Sequence, residues 1–250
     1  MTLSIDINAD VGEACGYDEP LMASITSANV AAGLHAGSPD VVRATIRLAH
    51  AHGVAVGAHP GFPDREHFGR REMTVTAAQA GDLVLAQIAL VAGVASDEGE
   101  RLQHVKPHGA LYNMAARDES LAAAIAGAVA VFDSSLILFA PPHSRLFSAG
   151  RAAGLRVAAE AFADRAYERD GSLVSRGRPG AVIDDVDFVV SRAIGMATEQ
   201  RVTAIDGTVV PLEVNTICVH GDTAGCDALA AKLRAGLEAA GVDVRRPSFP

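Results

Sequence analysis

Residues 27–58 read SANVAAGLHAGSPDVVRATIRLAHAHGVAVGA, and this run already contains a complete strand–helix–strand unit. Residues 27–32 are a short, mostly apolar run of the kind that forms a buried strand. Ser38 and Pro39 then mark a helix start: a serine hydroxyl accepts from an early helical amide, and proline suits the first helical position. Gly53 stands where a helix C-cap belongs, so the helix is predicted over 39–52. A second apolar run follows at once over 54–58. Two strands joined through a helix must lie parallel, with a right-handed crossover.

The same alternation extends in both directions. Further strands are predicted over 3–9, 102–106, 136–140, 155–160 and 216–220, and further helices over 76–96, 119–132, 143–153, 186–198 and 222–240. Gly154 and Gly241 again sit at C-cap positions. Residues 202–213, with Asp206-Gly207 at the turn, read as an inserted hairpin. The expected fold class is therefore α/β: a single (β/α) barrel-like domain over residues 1–250 with about seven parallel strands. An open doubly wound sheet is the alternative.

Bulk properties narrow the function. A net charge of −9 argues against nucleic acid or an anionic membrane surface as the main partner. Asp6 and Asp10 interrupt the region where a signal peptide would have its apolar core. The longest uninterrupted apolar run, 121–132, is short of the roughly 20 residues that span a bilayer. Three cysteines without a C-x-x-C pair suit a reducing cytoplasm better than a disulfide frame. Lys106 and Lys232 are the only lysines among 21 basic residues, which singles out Lys106 inside its motif.

In barrels and open α/β sheets the site forms where strands pass into their following loops. Six of the seven strand ends carry ionisable or ligating groups: Asn8-Ala9-Asp10-Val11-Gly12-Glu13; Asn29 followed by His35; His59; Lys106-Pro107-His108; Glu160; and His220-Gly221-Asp222. Strand five, ending Ala140-Pro141-Pro142, offers none. Asp6, Asn8 and Asp10 share one strand parity, as do His104, Lys106 and His108. A polar stripe in a buried strand needs partners or a function. For Asp6 and His104, which lie deeper, a fold-stabilising network is the stronger reading. His50 and His52 suit a helix C-terminus, His67 and His143 a solvated loop, and Cys15 has no paired base.

Three chemistries fit these residues. Asp10, His35 and His59 form a carboxylate–imidazole set suited to a divalent metal. In metal-free amide chemistry, Asp10 or Glu13 would act as base while Lys106 and His108 stabilise negative charge. Arg70 and Arg71, with Arg165, Arg176 and Arg178, supply forks for phosphate. No phosphate-binding loop of the Walker type is present.

Several long strings resemble the LamB/YcsF family, whose members are A subunits of bacterial ATP-dependent 5-oxoprolinase. They include residues 8–13 (NADVGE), 27–29 (SAN), 35–37 (HAG), 57–60 (GAHP), 68–72 (FGRRE), 104–113 (HVKPHGALYN), 160–167 (EAFADRAY) and 219–223 (VHGDT), and the resemblance runs from about residue 4 to 242. Ala32, Leu34 and Ser38 depart from the family's usual residues, as does the Pro141-Pro142-His143 turn, but no ionisable motif residue is lost. The resemblance implies a barrel related to the polysaccharide-deacetylase and glycoside-hydrolase barrels. It implies cleavage of 5-oxo-L-proline to L-glutamate with ATP hydrolysis, beside separate B and C subunits; a homo-oligomer stays open. ATP is expected to be bound mainly with those partners.

Catalytic work is then expected of Asp10, Glu13, His35, His59, Lys106 and His108. Asp10 or Glu13 would handle water, His35 and His59 complete an acid–base or metal set, and Lys106 and His108 neutralise an oxyanion or phosphate. Substrate contacts are expected from Asn8, Asn29, Arg70, Tyr112, Glu160, Asp164, Arg165, His220 and Asp222, with Arg165 clamping the substrate carboxylate. Asp10→Asn and Lys106→Met should abolish turnover with melting temperature nearly unchanged. The rival activity is a metal-dependent deacetylase or carbohydrate hydrolase on the same barrel.

Overall fold

Along strand β1 (Ser4–Val11) the pleat sends Ile5, Ile7 and Ala9 to one face and Asp6, Asn8 and Asp10 to the other. The apolar set joins the core that lies under the surrounding helices, and the polar set points to the centre of a ring of strands. A computed structural model describes residues 3–249; of the expected 1–250 span, residues 1, 2 and 250 lie outside the described residues.

The strands follow as β2 (Ser27–Ala31), β3 (Ala55–His59), β4 (Leu102–Val105), β5 (Ile137–Ala140), β6 (Arg156–Ala161), β7 (Arg201–Thr203), β8 (Val209–Pro211), β9 (Thr216–Val219) and β10 (Asp243–Val244). The first six pair in parallel in chain order. β9 pairs with both β6 and β1, and so closes a parallel barrel of seven strands among the described residues. The expected barrel is thus present, and the open sheet is not. β7 and β8 form the expected antiparallel hairpin. β10 meets β1 at Ser4 and Ile5, below the point where β9 takes over at Asp6.

The helices are α1 (Asp18–Met22), α2 (Pro39–His52), α3 (Ala77–Asp97), α4 (Gly109–Arg117), α5 (Glu119–Phe132), α6 (Arg145–Ala152), α7 (Val186–Glu199) and α8 (Cys226–Ala239). The bounds of α2 and α5 agree with expectation because their caps are explicit. The Ser38 hydroxyl accepts from Val41 N–H, Gly53 closes α2 in the left-handed region, and Asp118 caps α5. α8 starts later than its sequence pattern, since Gly225 at the N-cap position takes φ +81°.

α3 is long and apolar enough to cross a bilayer by length and composition, which the search for an uninterrupted apolar run misses. It lies against α5, β3 and β4, burying Val84, Ile88 and Val91; each such side chain contributes about 2 kcal/mol. It also positions the site, because buried Gln87 bonds both the N–H and the C=O of Gly61, each at 3.0 Å, just beyond β3. α1 has a parallel role. The Asp18 carboxylate accepts from Gly12 N–H and from Thr45, each at 2.9 Å, fixing the turn after Asp10.

The barrel interior is split. Ile137, Phe139 and Ala158 form an apolar plug, against which Phe249 packs. The opposite wall is polar.

Candidate active site

The polar wall is a continuous hydrogen-bonded column. At its base Asp6 accepts from Thr26 (2.6 Å), Ser27 (2.7 Å) and Thr216. Burial still outweighs these donors and pushes the Asp6 carboxyl up to about 6. One layer higher, the Asn8 amide donates to Thr216 at 2.7 Å. The Asn29 amide donates to Asn8 Oδ1 (2.7 Å) and to Asp10 Oδ1 (2.9 Å). Since Asn29 Nδ2 is the donor there, its Oδ1 accepts from His104 Nε2 at 2.8 Å, which fixes that histidine's tautomer. His104 stacks on Phe139, with centroids 4.3 Å apart.

Lys106, just past β4, caps the column. Its ammonium lies 2.7 Å from Asp10 Oδ1, 3.0 Å from Glu160 Oε1, 3.3 Å from Asn8 Oδ1 and 2.9 Å from the Cys218 sulfur. Burial opposes that charge, but the carboxylates of Asp10 and Glu160 overcome it and hold the ammonium well above the usual lysine range. Burial likewise opposes the Asp10 charge, yet His59 and Lys106 draw its carboxyl well below the usual range. Tyr112 donates to Glu160 Oε2 at 2.5 Å, and burial beside that carboxylate pushes its phenol well up. The floor is therefore an ammonium held between the side chains of Asp10 and Glu160, with the Tyr112 phenol beside them.

Next to this floor, three histidines and a glutamate come together from the end of β3 and three loops. His59 Nε2 lies 2.9 Å from His108 Nδ1 and 3.4 Å from Asp10 Oδ2. Glu13 Oε1 lies 3.5 Å from His35 Nε2 and 3.7 Å from His108 Nδ1. Burial, reinforced by the charges of Asp10 and Asp222, pushes the Glu13 carboxyl up to about 9. Burial beside His59 pushes His35 down to about 3 and His108 well below its usual value. One ligating atom from each of Glu13, His35, His59 and His108 lies within 4.8 Å of all the others, a spacing that a metal ion can bridge. Of the metal set expected from sequence, His35 and His59 fall in this group; Asp10 lies beside it, its Oδ1 bonded to Asn29 and Lys106 and its Oδ2 3.4 Å from His59 Nε2.

Above the floor opens a cavity of about 730 Å³. Asp10, His59, Lys106 and His108 reach it from below, with Tyr112 and Glu160 beside them. Arg70, Arg165 and His220 line it higher up. Asn8, Asn29, Glu13 and His35 are buried behind these groups, so they act on the cavity through neighbours. Arg70 pairs with Asp222 at 2.5 Å, tying the segment before α3 to the turn before α8. His220 bonds Asp164 through Nδ1 (3.0 Å) and accepts from Arg176 through Nε2 (2.9 Å). Arg165 does not present a free fork. Its guanidinium bonds the carbonyls of Val174 (2.7 Å) and Ala181 (3.3 Å), holding the 162–185 flap closed on itself.

Gln87, Asp18 and Cys218 carry no signal in the sequence, because their roles depend on contacts between distant segments. His104 shares the parity of Lys106, which is the available signal for it. His50 and His52 are exposed and His67 is half-exposed, as expected of residues outside the site. His143, expected as a solvated loop residue, is exposed but lines the cavity with Pro141 and Pro142.

Comparison with known proteins agrees with this architecture. The 5-oxoprolinase A subunit of Methylococcus capsulatus is 52% identical over 249 residues, covering 98% of this chain and 96% of the relative. The crystal structure of the lactam utilization protein from Thermus thermophilus superposes with a TM-score of 0.93 at 45% identity, covering 97% of this chain and 99% of that one. The catalytic domain of a peptidoglycan N-acetylglucosamine deacetylase from Eubacterium rectale shares the fold alone, with a TM-score of 0.55 at 11% identity over 100% of this chain and 91% of that one. The model of the LamB/YcsF family matches residues 5–249, and the chain belongs to that family.

Proposed function

We propose that this chain is the A subunit of an ATP-dependent 5-oxoprolinase, opening 5-oxo-L-proline to L-glutamate together with B and C subunits. The observation that carries this reading is the full-length match to a relative of that name, 52% identical over 98% of the chain. The site supports it. A five-membered lactam is a poor electrophile, and phosphorylating its carbonyl oxygen at the expense of ATP would make the ring carbon open to water. The chain then has to neutralise negative charge, orient water and shield the centre.

Lys106 supplies the charge. It is fixed at the cavity floor and remains an ammonium, so it can meet a carbonyl oxygen or its phosphoryl group without reorganising. Asp10 supplies the water-orienting carboxylate. Its Oδ1 is taken by Asn29 and Lys106, which leaves Oδ2 to accept from water. Glu13, expected as an alternative base, stands behind the residues that line the cavity while Asp10 is one of them, so the role falls to Asp10. Water adds to the activated carbon, giving up a proton toward Asp10. The tetrahedral adduct then breaks its ring C–N bond as the nitrogen takes up a proton. A second water hydrolyses the acyl phosphate so formed, releasing phosphate and L-glutamate. Arg70 and Arg176 line the cavity wall together with Arg165 and supply positive charge for the substrate carboxylate. A divalent metal at the strand ends would add fixed positive charge, and no proton movement in this reading depends on it.

The sequence has no Walker-type loop, in keeping with ATP bound mainly with the partner subunits. The free thiols of Cys15, Cys218 and Cys226 suit the cytoplasm. The test is glutamate release from 5-oxoproline by the chain alone and with B and C subunits, with and without ATP. Turnover is expected only with all three subunits and ATP. Full turnover by the chain alone would refute the division of labour, and ATP-independent, chelator-sensitive deacetylation of a glycan would favour the hydrolase rival.

A further inference from the structure

We propose that Glu13, His35, His59 and His108 hold one divalent first-row transition-metal ion, of the zinc type, and that Asp10 is not among its ligands. His59 Nδ1 lies 2.7 Å from the carbonyl oxygen of Lys106. A carbonyl can only accept, so Nδ1 carries the hydrogen. His108 Nε2 lies 2.7 Å from the carbonyl oxygen of Phe68, and the same reasoning places its hydrogen there. A neutral imidazole has one N–H. In their neutral forms His59 Nε2 and His108 Nδ1 are thus both bare lone pairs, facing each other at 2.9 Å. Two lone pairs at that distance repel unless a cation lies against both.

A shared proton would satisfy that pair and nothing else. Glu13 Oε1 and both nitrogens of His35 are buried and have no hydrogen-bond partner among the described residues. Such groups are costly to bury, so their convergence calls for an explanation. A single metal ion satisfies His59, His108, Glu13 and His35 together. Bonds of about 2.0–2.1 Å in a tetrahedron give ligand–ligand edges of about 3.3 Å. Three of the six separations, 2.9, 3.5 and 3.7 Å, bracket that value, and all six lie within 4.8 Å, so the ligands close in by a modest shift around an ion. The His35 ring lies parallel to His108 with centroids 3.9 Å apart, so it must turn to present Nε2. No hydrogen bond holds it where it is.

The second ring nitrogens of His59 and His108, each tied to a main-chain carbonyl, provide the outer contacts that fix ligating imidazoles. Three imidazoles and one carboxylate favour zinc, cobalt or nickel over magnesium or calcium, which prefer oxygen. Asp10 lies near, 3.4 Å from His59 Nε2, but Lys106 already neutralises it. The site concerns binding alone and does not depend on the 5-oxoprolinase reading.

The test is metal content, measured without substrate on the full chain. After chelator treatment, the chain is dialysed against Zn²⁺ or Co²⁺ with millimolar Mg²⁺ present, and bound metal is counted by mass spectrometry. One ion per chain is expected, with cobalt showing the intense visible bands of a four-coordinate nitrogen-rich site. His108→Ala and Glu13→Gln should lower affinity at least tenfold, while Asp10→Asn keeps one ion per chain. Circular dichroism establishes that each variant is folded, and titration of the parent chain, followed through its histidine ring NMR signals, gives a readout independent of any variant. Failure of the folded parent chain to bind zinc or cobalt stoichiometrically would leave the shared proton as the explanation and overturn the proposal. So would an Asp10→Asn chain that loses the ion as fully as His108→Ala.

Discussion

His104 Nε2 donates to Asn29 Oδ1 at 2.8 Å, in a space that exists because residue 57 is glycine. A Cβ at position 57 would overlap the His104 ring. The ring cannot retreat, because it stacks on Phe139. Gly57→Ala should therefore destabilise the fold by about 2–3 kcal/mol through overpacking. It should also lower kcat, since Asn29 is what orients Asp10 Oδ1. Denaturant unfolding and steady-state kinetics of the assembled enzyme check the two effects. A chain with normal stability and normal kcat would show that the column tolerates displacement.

The salt bridges revise the expectation that Lys106→Met leaves melting temperature nearly unchanged. Removing this ammonium strands Asp10 and Glu160 as buried carboxylates within reach of its former position. Breaking a buried pair in this way costs about 3–5 kcal/mol. Lys106→Met should be inactive and clearly less stable. Asp10→Asn should be inactive but less destabilised, because Lys106 retains Glu160. The double variant should be more stable than the sum of the two single losses predicts. Additive losses in a double-mutant cycle would mean that the two groups do not interact as described.

Asp6 ties stability to pH. Lifting its carboxyl from 3.8 to about 6 penalises the ionised folded state by about 3 kcal/mol. The folded state then binds the proton more tightly than the unfolded one. Asp6 imposes almost no penalty below about pH 3, where both states are protonated, and nearly the full penalty above about pH 7. Asp6→Asn removes this dependence. The stability difference between variant and parent should shift by about 3 kcal/mol in the variant's favour from about pH 3 to about pH 7, measured by urea unfolding. Parallel curves across that range would contradict the raised carboxyl.

How much of this was legible in the sequence depends on range. Ser38, Pro39 and Gly53 act on their own helix, so the bounds of α2 could be read directly. The period of two in β1 placed Asp6, Asn8 and Asp10 on one face, and strand ends put Asp10, His59 and Lys106 near one another. Contacts across the barrel could not be read. Glu13 joins His108 only because three separate loops and the end of β3 converge, and neither residue's local pattern indicates the other. Gly57 looked like any small strand residue, since its purpose is the ring of a histidine 47 positions away. α4 was missed for a local reason: it begins at Gly109, at φ +52°, without a side-chain cap.

Arg165 gives the sharpest contrast between a role read from residue type and one read from contacts. As a free guanidinium it would clamp the substrate carboxylate, but its donors already hold Val174 and Ala181. Arg192 Nη1 adds bonds to the carbonyls of Ala163 (2.7 Å) and Arg165 (2.9 Å), so the flap rests on two guanidinium groups, one buried and one half-buried. Arg165→Met should loosen the segment from 166 to 182, seen as faster amide hydrogen exchange there than in β1 or α5. KM for 5-oxoproline should rise as a consequence, because the flap walls the cavity from Asp170 to Arg176. If exchange is unchanged while KM rises at least tenfold, Arg165 contacts the substrate directly, and the role read from sequence stands.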